Sequence, residues 1–92
     1  MRKYQEKITN SLFSVINTGK HGWAQSETMS CENGIAKSYR TPIAKVTYEN
    51  GKWKCYLNKK RYSCTTSTQQ SAIKLAASQR GVEVVEVEPN EL

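Results

Sequence analysis

The sequence predicts an α+β fold: an N-terminal helix, an antiparallel meander of three to four strands, a second helix and a C-terminal edge strand. Three observations carry this. Apolar residues recur with helical spacing in two separated segments, and the stretch between them alternates with a period of two. Two Asn-Gly pairs, Asn33-Gly34 and Asn50-Gly51, punctuate that stretch, and Asn-Gly suits the positive φ angles of a type I′ hairpin. At 92 residues the chain is one small domain, 1–92.

Tyr4, Ile8, Leu12, Val15 and Ile16 fall on one helical stripe. Asn17, Thr18 and Gly19 then supply a stop, so the first helix is expected from Arg2 to Asn17. The segments WAQSETMSC, IAKSYRTPIAKVTY and KWKCYLN are rich in β-branched and aromatic residues and flank the turns. Pro42 lacks an amide hydrogen and belongs at an edge, a strand start or a bulge.

Alternation assigns faces. Trp53, Cys55 and Leu57 share the inner face, with Lys52, Lys54 and Tyr56 outside; before them Ala44, Val46 and Tyr48 look inward and Ile43, Lys45 and Thr47 outward. Tyr62 and Cys64 are expected inside on a further strand, with Arg61 and Ser63 outside. A loop of two or four residues around Asn58-Lys59 keeps that register, and the longer one sets Cys55 opposite Cys64.

The next segment, CTTSTQQSAIKLAASQRG, reads as a helix. Thr66 with Gln69, and Ser67 with Gln70, fit the capping-box spacing. Ala72, Ile73, Ala76 and Ala77 form a narrow face of mostly small residues, and Gly81 ends the element. VEVVEVEP follows, and its Glu83, Glu86 and Glu88 suit an edge strand.

Charge and inventory then bound the function. Fourteen Lys and Arg against eight acidic residues give a net charge of +6. The surplus is concentrated: Lys37, Arg40, Lys45, Lys52, Lys54, Lys59, Lys60 and Arg61 face a single acid, Glu49, while Glu83 to Glu91 form an acidic tail. Clustered cations suggest polyanion partners, so the candidate nucleic-acid-binding set, for DNA or RNA, is Lys45, Lys52, Lys54, Tyr56, Lys59, Lys60 and Arg61. The plainer reading is a solvated outer face whose lysines guard against edge aggregation. A third reading is a module that binds another protein through exposed Tyr39 or Tyr56.

Enzymatic activity is not expected. The chain has one His, His21, and no Asp, so no nucleophile–base–orienter set is available. His21, Cys31, Cys55 and Cys64 could supply four zinc ligands on paper, but no Cys-x-x-Cys or similar pair exists. The thiols read as small buried side chains of a reducing compartment, with no metal and no cofactor assigned. The polar start MRKYQEKITN and the lack of a membrane-length apolar run point to a cytoplasmic protein with no membrane partner.

Two resemblances add to this. SYRTPIA (Ser38 to Ala44), YSCTTS (Tyr62 to Ser67) and the acidic closing strand with Pro89 resemble a class of small tailed-phage accessory proteins of unknown function. These carry a Ser-Tyr-x-Thr-Pro-Ile/Val-Ala segment followed by Tyr-Ser-x-Thr-Thr-Ser, and the similarity spans about Trp23 to Pro89. It implies a phage-type accessory protein, in the cytoplasm of the host cell, and supplies no catalytic residues. In architecture, GKWKCYLNKKRYSCTTSTQQSAIKLAASQR is similar to the strand-turn-strand-helix of AP2-like and integrase arm-type DNA-binding domains. Their three-stranded sheet enters the major groove, which in this chain would aim Lys45, Lys52, Lys54, Tyr56 and Arg61 at DNA.

Overall fold

The computed structural model describes all 92 residues. Helix α1 (Lys3–Phe13) opens where Gln5 reaches back, its Oε1 accepting the Arg2 amide at 3.0 Å. The expected single helix breaks at Ser14, whose hydroxyl donates to the Ser11 carbonyl at 2.8 Å. A serine that bonds back to its own helix competes with the backbone ladder and bends it. A one-turn helix, α2 (Val15–Thr18), follows, and Gly19 closes it at φ 74°. The chain then turns back so tightly against α1 that a Cβ on Gly22 would lie 2.6 Å from the Ser11 carbonyl oxygen.

Five strands form the meander: β1 (Ala24–Gln25), β2 (Met29–Glu32), β3 (Ile35–Ser38), β4 (Thr41–Glu49) and β5 (Lys52–Asn58). Both Asn-Gly pairs turn hairpins as expected, with φ of 53° and 79° at Asn33-Gly34 and 52° and 79° at Asn50-Gly51. A third two-residue turn joins β3 to β4 through Tyr39, held at φ 56°. After β5 comes α3 (Cys64–Gln79), and β6 (Glu83–Val87) returns parallel to β5. The sheet is six-stranded in sequential order, β1 to β6. The fold is the α+β arrangement expected, with six strands rather than three or four.

The strand expected at Tyr62 to Cys64 does not form. Those residues belong to a loop and to the first turn of α3, and β6 takes the place beside β5 that the extra strand would have occupied. Ser63 caps α3, its hydroxyl accepting from the Thr66 amide at 3.2 Å, so the helix begins before both expected capping boxes. Ala72, Ile73, Ala76 and Ala77 are buried, and the small side chains let α3 lie close to the sheet.

Both long helices cover the same sheet face. Ile8, Leu12, Phe13 and Ile73 pack there against Met29, Cys31, Ala36, Ala44, Val46, Cys55 and Leu57 in one core. Polar side chains stitch the helices together along that layer. Fully buried Gln69 donates to the Thr28 hydroxyl at 3.0 Å and the Tyr4 hydroxyl at 3.4 Å, and the Ser38 and Thr66 hydroxyls bond at 2.9 Å. No helix is long and apolar enough to cross a membrane.

Candidate nucleic-acid interface

Strand parity divides the sheet into a helix-covered face and an open one. Cys55 and Leu57 lie beneath, fully or nearly fully buried, and Trp53 is half-buried against the core, as the alternation requires. The outer face is ordered by register. One row crosses five strands as Glu32, Ile35, Lys45, Tyr56 and Val85; the next runs Thr47, Lys54 and Glu83; Lys52 stands opposite Glu49. On β3, Lys37 shares this face.

Within β4 two assignments of face are overturned. Ile43 is not outside but completely buried, because a β-bulge sets it between the pairs Ala36–Ala44 and Lys37–Pro42. The extra residue lets Ile43 and Ala44 both enter the core. Tyr48 has inner parity, yet it is 58% exposed. The tip of the β4–β5 hairpin overhangs the neighbouring strands, since β3 pairs only as far as Lys45 and β6 only as far as Lys54. No helix lies under Tyr48 there, and its ring instead meets Trp53 at 5.2 Å between centroids.

Of the seven residues expected to contact nucleic acid, Lys45, Lys52, Lys54 and Tyr56 do stand together on the open face. Lys59, Lys60 and Arg61 do not. They occupy the loop from β5 to α3, and two side chains, Asn58 and Gln70, fix that loop. The side chain of buried Asn58 donates to the Pro42 carbonyl at 3.1 Å and accepts from the Lys60 amide at 2.9 Å. Gln70 on α3 donates to the carbonyls of Asn58 and Lys60 at 2.9 and 3.1 Å. The Lys60 ammonium sits 5.4 Å above the Tyr62 ring. Lys59 is paired with Glu88 at 2.9 Å, so the acidic tail reaches back to this end of the basic segment.

Only one other ion pair forms, Lys74 with Glu86 at 3.7 Å. Lys37, Lys45, Lys52 and Lys54 are therefore cations without a carboxylate in pairing distance, although Glu32, Glu49 and Glu83 share their face. Glu49 is engaged otherwise: it accepts the Tyr56 hydroxyl at 2.8 Å. That hydrogen bond raises the Tyr56 pKa, helped by desolvation and by the charges of Glu49 and Glu83.

The same bond fixes the ring's posture. Tyr56 pairs across the strand with Lys45, and Glu49 lies four residues further along β4. At about 3.3 Å per residue that is roughly 13 Å of strand, which only a ring laid down along the sheet can span. The ring thus passes over the Thr47–Lys54 pair, and Thr47, Lys54, Tyr56 and Glu49 are all half-buried although no helix covers them.

No family model matches this chain, and no curated protein or solved structure does either.

The remaining chemical groups converge on nothing. No three His, Cys or Glu side chains gather where a metal could be held. His21 lies against the β2–β3 turn, so close that a Cβ on Gly34 would sit 2.9 Å from its Cε1. Cys31 and Cys55 are buried, but Cys64, expected inside, is exposed at the start of α3. The face thus offers free cations, one flat aromatic ring and two aliphatic neighbours. The sequence reading missed Ile35, Val85 and the Glu49 tether; only the register, which local patterns do not disclose, brings them onto one face with Tyr56.

Proposed function

We propose that this chain is a small phage-type accessory protein that works by binding rather than by chemistry, and that its ligand is nucleic acid held on the outer face of the sheet. The phage-type reading rests on the SYRTPIA and YSCTTS segments and places the protein in the cytoplasm of a host cell. The binding reading rests on one observation: Lys37, Lys45, Lys52 and Lys54, none of them in an ion pair, gather on the sheet face that neither α1 nor α3 covers. Such lysines can neutralise phosphates and release their counterions.

Glu32, Glu49 and Glu83 offset part of this charge, so the contact is modest in strength and small in extent. If about three phosphates are neutralised on a single strand, the log–log salt slope is about −2, and affinity falls roughly 20-fold between about 50 and 200 mM salt. Gel shift and anisotropy titrations check this. The charge reversal Lys54→Glu is expected to weaken binding further, by placing a third acid between Glu49 and Glu83. Absence of any retardation of DNA or RNA at low salt would remove the reading.

A second reading, a host or phage protein as partner, is favoured by a different observation. Trp23 and Tyr39 are 65% and 60% exposed, and Tyr39 is displayed on a turn in a backbone conformation that disfavours bulky residues. Exposed aromatic residues anchor protein interfaces. Affinity capture from host lysate with and without nuclease separates the two: a partner that survives nuclease supports the protein reading, and one lost with it supports nucleic acid.

A further inference from the structure

We infer that the outer face takes single-stranded nucleic acid, one base stacking on the laid-down ring of Tyr56, and does not enter a duplex groove. This rests on the nucleic-acid reading above and narrows its ligand.

The first argument is size. The major groove of B-DNA is about 12 Å wide and admits a helix or a two-stranded ribbon. Here the face spans six hydrogen-bonded strands, and five gaps of about 4.8 Å make it roughly 24 Å across. The one protruding ribbon, the tip of the β4–β5 hairpin, carries a single lysine, Lys52, directly opposite Glu49. One cation beside one acid is a poor probe for a phosphate-lined groove. The three-stranded, groove-inserted geometry suggested by the sequence therefore has no counterpart here.

The second argument is the ring. A tyrosine standing upright on a sheet presents its edge, but Tyr56 is drawn down along β4 by its bond to Glu49. The ring lies over Thr47 and Lys54 and is half-buried there, so part of it stays open to solvent. Its cross-strand neighbours on either side are Lys45 and Val85, and Ile35 lies beyond Lys45. This is the equipment for an unpaired base: an aromatic platform, flanking aliphatic side chains, and the Lys45 and Lys54 ammonium groups within reach of a backbone that passes across the strands. Any base can stack on it, since every base has a π-face, so little sequence preference is expected. In a duplex the bases are already stacked on each other, and the platform has nothing to receive.

Tyr56 carries the test. Anisotropy is measured at about 50 mM salt with a labelled oligothymidylate of about 12 nucleotides, the matching oligouridylate, and a duplex of similar length. The single strands are expected to bind at least about tenfold tighter than the duplex. Tyr56→Ala is expected to lower single-strand affinity about tenfold or more while leaving the weak duplex binding unchanged. Tyr56→Leu, which keeps apolar cover over Thr47, controls for folding and should lose the same affinity. Duplex binding equal to or tighter than single-strand binding overturns the inference but leaves the nucleic-acid reading standing. So does single-strand binding indifferent to both variants. No binding to any of the three probes overturns both.

Discussion

At the scale of single residues, the structure makes two side chains distinctive in ways that titration can read. Tyr56 donates its phenolic proton to Glu49, and that bond, more than burial or nearby charge, lifts its pKa above the ordinary 10.0. The sign follows: the bond supports the folded state below pH 10, and its contribution disappears as pH climbs through the raised value. A pH titration of tyrosine Cζ resonances, with Tyr56→Phe for assignment, should find this residue titrating above an exposed tyrosine, and Glu49→Gln should bring it back down. A value at or below 10 in the native protein would mean the ring is not tethered. Cysteines give a second reading. Burial raises the Cys31 pKa and pushes the Cys55 thiol up to about 12, whereas Cys64 is exposed. A thiol reagent at neutral pH should label Cys64 promptly and the other two only on unfolding. Most of the facing pattern was legible in the alternation of β4 and β5. Ile43 and Tyr48 were not, because a bulge changes parity without changing composition, and burial at a strand's end depends on whether a helix extends beneath it.

At the scale of elements, the turn chemistry was readable and the long-range pairing was not. Asn-Gly pairs specify their hairpins through local φ preferences, and both hairpins form where they were expected. Tyr62-Ser63-Cys64 was a different matter, since an aromatic residue followed by small ones resembles a strand start. What decides is tertiary: Asn58 and Gln70 hold the loop, and β6 completes the sheet by pairing parallel to β5. Nothing in the local pattern of VEVVEV names its partner. The cap of α3 shows the consequence. Ser63→Ala should destabilise the protein by about 1 kcal/mol, whereas Ser67→Ala, at an expected cap position, should stay within about 0.5 kcal/mol, both read from denaturant midpoints. Equal effects would mean the helix starts where the sequence suggested. Gly22 sets a steric limit on α1: its replacement by Ala forces a Cβ against the Ser11 carbonyl and should cost about 1–3 kcal/mol.

At the scale of the whole molecule, the two helices on one side of a six-stranded sheet determine what the protein can do. They consume the apolar side chains of one face and leave the other to solvent, with its lysines unpaired and its single aromatic ring held flat. The basic segment of the sequence suggested a polyanion partner without a geometry: folding divides that segment between the sheet face and a separate loop at the end of β5, and brings three glutamates onto the face. The proposed binding is therefore local, a few phosphates and a stacked base, rather than a broad electrostatic grip. Mapping amide and side-chain NMR shifts while adding oligothymidylate at low salt examines this claim residue by residue. The expected result is a contiguous set of perturbations at Ile35, Lys45, Thr47, Lys54, Tyr56 and Val85, with α1 and the outer surface of α3 silent. Perturbations confined to the helices, or to the Lys60–Arg61 loop alone, would contradict it.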